Sequence, residues 1–333
     1  MNVAVVGATG AVGETIVQVL EERNVPIGRL RPFASRDRSE TIPFRGDRLA
    51  VRAASHDALR GFDVVFFAGG EDASEEYAPS LLERGVVVID NSPTFRMKSG
   101  VPLIIPEVNA DALRPDHRLF PVANCTAILL CIALRPIRDV AGLRSVRAAT
   151  YQAAGGAGRA GLDELAAGER AIVSGESEPP AAVFGRSLAR NVIPQVGAFD
   201  AEGWTGEERK VRDESRKMLE LPRLSVSVTA VRVPVRAAHS EAIFFETERA
   251  TNRSELATAL ESASGIVFHR EGIVTPRDVE GTDNVHVARL RALDDNRERE
   301  FAMWCVGDQL RKGAATNAVQ ILELLLERGY VAA

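Results

Sequence analysis

The sequence predicts an α/β protein in two parts, an N-terminal doubly wound parallel sheet followed by an α+β unit. Three observations carry this expectation. A short apolar strand enters a glycine-rich turn and a helix at the N-terminus. Continuous apolar runs then alternate with helical stretches as far as Ser92. Beyond about Val146 the strands change to polar–apolar alternation, the pattern of a sheet covered on one face. The length of 333 residues is enough for two domains.

Asn2 to Val6 is the first strand, and Gly7-Ala8-Thr9-Gly10-Ala11-Val12-Gly13 follows it into a helix with Ile16, Val17, Val19 and Leu20 on its apolar side. Glycines between strand and helix let backbone approach a pyrophosphate at a helix N-terminus. The spacing is G-x-x-G-x-x-G, one residue off the standard fingerprint, but its position after a buried strand supports a nucleotide site. A second strand over Arg29 to Ala34 ends in Ser35-Arg36-Asp37-Arg38-Ser39. An acid at that strand end suits a ribose 2′-OH and an Arg suits a 2′-phosphate. Ser35, Arg36, Arg38 and Ser39 together point to NADP, with Asp37 left to answer one of the Arg charges.

Alternation from Ile42 to Val51 predicts a hairpin turning at Gly46-Asp47. Phe62 to Ala68 is a buried strand ending in Gly69-Gly70, followed by a helix over about Ala73 to Arg84 and a strand, Val86 to Ile89, that ends in Asp90-Asn91-Ser92. Strand C-termini line the ligand crevice of such a sheet, so Arg96 is expected near it as an anion ligand. After the apolar run Ala127 to Leu134, strands are expected at Val146–Tyr151, Leu224–Val235, Ala242–Glu248, Val285–Leu290 and Phe301–Cys305. A helix is expected over about Leu162 to Val173, and a last one over Lys312 to Arg328.

The composition is 45% hydrophobic, 26% charged and 5% aromatic, with a net charge of −5 and no Lys/Arg block, so nothing supports a nucleic-acid partner. No basic leader with an apolar core opens the chain, and no apolar run is long enough to span a bilayer, so no membrane role is expected. Three cysteines without zinc spacing predict no metal site and a reducing, cytoplasmic compartment. Of these, Cys125 stands out in Pro121-Val122-Ala123-Asn124-Cys125-Thr126-Ala127-Ile128. Asn124 or Thr126 is suited to cap the helix that follows, which leaves Cys125 in the first turn. There the unpaired N–H groups and the helix dipole favour a thiolate and offer donors to an oxyanion. Cys131 falls in the helix interior and reads as core. His56, His117, His269 and His286 have no comparable context.

The motifs in order resemble those of the aspartate-β-semialdehyde dehydrogenase family, and the resemblance covers essentially the whole chain. They include the glycine turn Gly7 to Gly13, Asp90-Asn91-Ser92 with Phe95-Arg96-Met97, Val101 to Asn109, Asn124-Cys125-Thr126 and Thr150-Tyr151-Gln152. Asn191 to Gln195, Glu207-Glu208-Arg209-Lys210, Arg232-Val233-Pro234 with His239-Ser240-Glu241, Thr275 to Val279, and Arg311 to Ala315 complete the set. The resemblance implies a Rossmann-like NADP-binding domain, residues 1–124 with the C-terminal helix 314–333 returning to it, and a catalytic and dimerisation domain, residues 125–313. It implies reversible, NADPH-dependent reduction of aspartyl phosphate to the semialdehyde with release of phosphate, in the synthesis of lysine through diaminopimelate and of threonine and methionine. A homodimer is implied as well.

Carried over by position, Cys125 resembles the nucleophile that forms a thioester, Gln152 the residue that positions the acyl group, and His239 the general acid/base. Asn124 belongs to the same catalytic pair as Cys125. Arg232 resembles the grip on the substrate carboxylate, Glu207 the acid that meets its amino group, and Arg96 and Lys210 the phosphate site. Gly155, Gly156 and Asn317 resemble residues near the cofactor. A thioester splits displacement and hydride transfer into two easier steps, and an Arg fork suits a carboxylate. Glu207 and Lys210 also have the spacing of a plain helix ion pair. Two departures stand out: Ala123 replaces the usual Pro, and Gly155 replaces the Ser of a Ser-Gly-Ala-Gly turn. The nearest rival is N-acetyl-γ-glutamyl-phosphate reductase, whose substrate has no free amino group. A catalytically idle dimeric homologue is the rival of another class.

Overall fold

The computed structural model describes residues 1–294 and 298–332. The chain forms two compact units, Met1–Ala123 with Ala314–Ala333, and Asn124–Gly313. Ala333 itself lies outside the described residues. In chain order the first unit runs β1 (Asn2–Val6), α1 (Ala11–Glu22), β2 (Arg29–Ala34), β3 (Thr41–Phe44), β4 (Asp47–Ala50), β5 (Arg52–Ala53), β6 (Val64–Phe67), α2 (Glu71–Leu82), β7 (Val87–Asp90), α3 (Pro106–Asn109) and β8 (Leu119–Pro121). The sheet order is β5-β2-β1-β6-β7-β8, and every pair is parallel. Val3 to Val5 and Val64 to Phe67 are fully buried, as a parallel sheet covered on both faces requires.

Strand order reverses between β1 and β6, and two glycines close that switch point. A Cβ on Gly7, whose φ is +83°, would lie 2.4 Å from the Gly69 amide nitrogen, and one on Gly13 would lie 2.2 Å from the Gly7 carbonyl oxygen. Only glycine permits this approach of turn, helix and neighbouring strand. The hairpin β3–β4 turns one residue earlier than the sequence suggests, at Arg45-Gly46, both with positive φ (51° and 84°). Arg45 accepts the left-handed conformation because its guanidinium donates to the Val25 and Ile27 carbonyls and its amide to Glu21.

The second unit runs α4 (Cys125–Ala141), β9 (Ser145–Gln152), α5 (Gly158–Ser174), α6 (Gly206–Met218), β10 (Ser225–Arg232), β11 (His239–Glu246), α7 (Arg253–Ser262), β12 (Ile266–His269), α8 (Pro276–Val279), β13 (Val285–Ala292) and β14 (Glu300–Gly307). Its mixed sheet has the order β10-β9-β11-β14-β13-β12. Helices α4, α6 and α7 cover one face. In β10, Val226, Val228, Ala230 and Arg232 are buried while Ser225, Ser227 and Thr229 are exposed, which is the expected one-sided alternation. The uncovered face carries Phe244 and Tyr151, the latter packed on Trp304 with ring centroids 5.3 Å apart. Sequence periodicity did not reveal α6, because Gly206–Met218 is mostly charged. A capping box between Thr205 and Glu208 starts it instead.

The C-terminal segment begins with a π-helical turn, Arg311–Ala315, so the last α-helix, α9, spans Thr316–Glu327 and starts later than Lys312. It packs on α1 and β7 of the first unit, with a forked Arg23–Glu323 pair and a hydrogen bond from Asn317 to the Ile104 carbonyl. No helix among the described residues is long and apolar enough to cross a membrane.

Glu241 is an anomaly in the covered face. It lies opposite Thr150 and Cys305, is fully buried, and neither carboxyl oxygen has a hydrogen-bond partner among the described residues. Burial pushes its carboxyl well above the usual 4.5, so the fold holds it protonated. A raised folded-state value contributes stability that is full below the unfolded value and lost as pH rises through the folded one. Glu241→Gln should therefore remove part of the decline in stability above about pH 5. Urea midpoints at rising pH are expected to diverge in the variant's favour; a constant difference from pH 5 to 8 would show that Glu241 is not held neutral.

Candidate active site

The helix α4 is buried along Thr126 to Leu134, and its first residue is Cys125. Asn124 is the cap: its side-chain oxygen accepts from the Ala127 amide at 3.1 Å. Thr126, the other candidate cap, lies inside the helix and is fully buried. Two carboxylates from α6 hold Asn124 in turn. Glu214 accepts its main-chain N–H at 2.6 Å, and Glu207 accepts its side-chain N–H at 2.8 Å. Cys125 is half-buried, and Gly313 leaves room for it, since a Cβ there would stand 3.0 Å from the Cys125 Cβ. Burial pushes the Cys131 thiol up to about 12 and the Cys305 thiol well above its usual range, so neither supplies a thiolate near neutral pH.

Sheet register brings the other candidates to the same level. Arg232 ends β10 beside Gln152, the last residue of β9. Ser240 is opposite Tyr151, which sets His239 at the level of Gln152, and His239 is in turn opposite Gly307 of β14. Gln152 donates to Glu207 at 3.1 Å, so one Glu207 oxygen holds both Asn124 and Gln152. The other faces Lys210 at 3.8 Å, an i, i+3 pair whose lysine is 42% exposed. The ion-pair reading of these two residues thus describes one of the contacts Glu207 makes.

Arg232 is 7% exposed, donates to the Ala153 carbonyl at 2.6 Å and lies over the Phe184 ring at 5.6 Å. Burial lowers its pKa, and the Cys125 and Glu207 charges oppose that shift. His239 is fully buried, and its Nδ1 accepts the Ala153 N–H at 3.1 Å. A backbone amide only donates, so the neutral ring carries its proton on Nε2. Nε2 has no partner among the described residues. Burial and the Arg232 charge hold the imidazole well below its ordinary range, hence neutral at physiological pH. The preceding Ala238 has φ +63°, and Gln309 fixes it by accepting its N–H at 2.7 Å. Nothing in the sequence signalled Gln309 or Glu214.

The turn Ala154–Ala157 borders these groups. A Cβ on Gly155 would fall 2.8 Å from Gln309 Nε2 and 2.9 Å from the Arg236 carbonyl, so the absent side chain leaves no open space. Gly156 is different: its missing Cβ would stand 2.9 Å from Arg232 Nη1 and 3.0 Å from His239 Nε2.

The first unit contains a cleft of about 440 Å³ beside the switch point. Gly7, Thr9 and Gly10 line it, as do Ser35 and Arg38, whereas Ala11, Val12, Gly13, Arg36 and Ser39 do not. Asp37 is turned away to accept the Ala53 amide, and Arg38 Nε has no partner among the described residues. Asp72 and Glu76 of α2 also line the cleft, which the sequence did not suggest. Arg96, in the loop after β7, is 8% exposed and donates to the Asn91 carbonyl. Asn317 is fully buried and tied to the Ile104 carbonyl, and Gly155 and Gly156 belong to the second unit.

A nucleotide-type crevice in one unit and a thiol among imidazole, guanidinium and carboxylate groups in the other define the class, an oxidoreductase. Residues 2–115 match the family model described as semialdehyde dehydrogenase, NAD binding domain, and residues 134–312 that described as semialdehyde dehydrogenase, dimerisation domain. The chain is 40% identical to an aspartate-semialdehyde dehydrogenase of Aquifex aeolicus over 99% of both chains. It is 36% identical to that of Bacillus subtilis, again over 99% of each. A crystal structure of aspartate semialdehyde dehydrogenase II from Vibrio cholerae, complexed with ASA, superposes with a TM-score of 0.92 at 38% identity, covering 98% of each chain. The chain belongs to the aspartate-semialdehyde dehydrogenase family.

The close approach of Arg232 and His239 to Gly156 can be tested. Gly156→Ala pushes a methyl group between Arg232 and His239, both already held by Ala153, so neither retreats without losing a hydrogen bond. Displacement on this scale costs about 10- to 100-fold in turnover. Steady-state kinetics should show that loss, with a lowered melting temperature from the broken buried hydrogen bond; unchanged kinetics would mean that turnover does not need Arg232 and His239 where they stand.

Proposed function

We propose that this chain catalyses the reversible reductive dephosphorylation of L-4-aspartyl phosphate to L-aspartate 4-semialdehyde with NADPH, through a thioester on Cys125. The observation that carries the reading is the sheet row Arg232–Gln152–His239 beside a half-buried thiol at a capped helix start. In this reading the Cys125 thiolate attacks the acyl carbon, the carbon–oxygen bond to phosphate breaks, and phosphate leaves. NADPH, when bound, supplies the hydride that reduces the thioester. The resulting thiohemiacetal collapses to the aldehyde and restores the thiolate. His239 offers Nε2–H to the oxygen on which charge develops, and the amides of the first turn of α4 add donors. Gln152, anchored on Glu207, orients the acyl group.

Arg232 grips the substrate α-carboxylate with the guanidinium nitrogens not engaged by Ala153. The Glu207 oxygen that faces Lys210 meets the α-ammonium group, and Lys210 and Arg96 are assigned to phosphate. An acylated amine brings this Glu207 oxygen neither a positive charge nor the donors of an ammonium group, which favours aspartate over its N-acetylated relatives. The first-unit cleft suits NADP: Gly7, Thr9 and Gly10 line it where a pyrophosphate would lie, and Ser35 with Arg38 suits a 2′-phosphate. The match to a dimerisation-domain family model and the uncovered aromatic sheet face support a homodimer.

Aspartate semialdehyde with phosphate should drive NADP reduction, and the N-acetylglutamate analogue should not. Cys125→Ser should abolish this turnover by roughly a thousandfold or more while leaving the fold intact. Cys131→Ser should stay within a few-fold of the parent. An active Cys125→Ser enzyme would exclude the thioester route, and phosphate-independent turnover would exclude phosphate as the acyl acceptor. For the cofactor, Arg38→Ala should raise the NADP KM by about 10- to 100-fold, the range of a charge-assisted hydrogen bond. NAD kinetics should hardly change, and a parent enzyme that prefers NAD would overturn the assignment.

A further inference from the structure

Two acids on one face of α6, seven positions apart, converge on Asn124. Glu207 takes the side-chain amide and Glu214 the main-chain N–H, the latter at 2.6 Å in a fully desolvated setting where Glu214 is 1% exposed. The Asn124 side-chain oxygen is already committed to Ala127. The main-chain N–H of the residue before the reactive thiol is thus held by Glu214, while its carbonyl accepts the Ile128 amide of α4 at 2.9 Å, and Sγ projects from the next residue. We propose that Glu214 is a positioning residue for Cys125: by pinning the Asn124 N–H it sets the first turn of α4 from which the thiol projects.

The inference rests on Cys125 being the nucleophile, and a plain structural account competes with it. A buried carboxylate that accepts a backbone N–H contributes stability wherever it stands, and Glu208 on the same helix does this at Thr205 and Ala230. What separates Glu214 is the residue it holds. Loss of its acceptor leaves the Asn124 N–H unpaired, so the peptide entering the cap keeps only the carbonyl bond to Ile128 beyond it. A shift of about 1 Å at a reacting atom costs about 100-fold in rate. The charge itself is not what the mechanism needs, because a carboxylate near the first turn opposes a thiolate there.

The test compares Glu214→Gln, Glu214→Asp and Glu214→Ala with Glu208→Gln in the full-length enzyme. The readouts are kcat, KM for the semialdehyde, melting temperature, and the rate of Cys125 alkylation by iodoacetamide. Gln keeps an acceptor at the same reach, so Glu214→Gln should retain at least about a third of the parent kcat. Asp keeps the charge but falls one methylene short, so Glu214→Asp should lose about 10- to 100-fold in kcat, with KM within a few-fold and alkylation altered in step. Glu208→Gln should lower the melting temperature without these kinetic changes. The Gln and Asp pair carries the test even if the Ala variant fails to fold. The proposal is overturned if Glu214→Asp turns over like the parent, if Glu214→Gln is as impaired as Glu214→Asp, or if Glu208→Gln reproduces the kinetic loss. If Cys125→Ser remains active, the thioester reading has failed; an inactive Cys125→Ser beside an unaffected Glu214→Asp rejects only the role of Glu214.

Discussion

Asn124 makes four hydrogen bonds, to Ala127, Ile128, Glu207 and Glu214, and the geometry of the second unit's site depends on them. An N-cap contributes about 1 kcal/mol to a helix, and a hydrogen bond to a charged group about 1.5–3 kcal/mol. Their larger effect is on direction. The cap decides where α4 begins, hence that Cys125 is its first residue, with main-chain amides beside the thiol. Because α4 is buried from Thr126 to Leu134, any rotation that re-aimed Cys125 would also re-aim a packed face of the core. The apolar length of the helix and the polar clamp at its start therefore fix the same residue from two sides.

The same interior separates protonation states within a short distance. His239 and Glu241 are two residues apart on one strand, both fully buried and both held neutral. Burial acts on them in opposite directions, lowering the imidazole and raising the carboxyl, because in each case it disfavours the charged form. Arg232 is buried too but stays cationic, since a guanidinium's reference value is far above any shift burial produces. Cys131 and Cys305 are kept as thiols by the apolar packing that surrounds them. The chemistry expected of Cys125 is thereby confined to the one half-buried cysteine.

Glycine serves two different ends in the two units. Gly7 and Gly13 are demanded by packing, because backbone atoms of neighbouring elements occupy the space a side chain would fill. Gly156 faces functional groups, and its bare Cα lets the Arg232 guanidinium and the His239 imidazole close in to where a side chain would stand. Sequence spacing treats all of these alike as a glycine-rich turn before a helix.

Much of this protein was legible in its sequence. Period-2 and continuous apolar patterns identified most strands of both sheets, though not the short β5, β8 and β12, because burial on one or two faces writes itself into residue order where the strand is long enough. A cap beside Cys125 was readable because capping is local, but the choice of Asn124 over Thr126 came from the structure. The nucleotide turn and the family were carried by contiguous motifs. What the sequence left open required residues distant along the chain to meet. Helix α6 has almost no apolar stripe, so its existence, and the aim of Glu207 and Glu214 at Asn124, emerged only from tertiary packing. The choice of Arg38 over Arg36 as the lining residue was a matter of loop conformation, with Asp37 drawn off by Ala53. The tautomer of His239 was set by an amide 86 positions away in the chain. Local order determines which elements form and where they start; hydrogen-bond partners and desolvation are properties of the folded interior, and only the fold decides them.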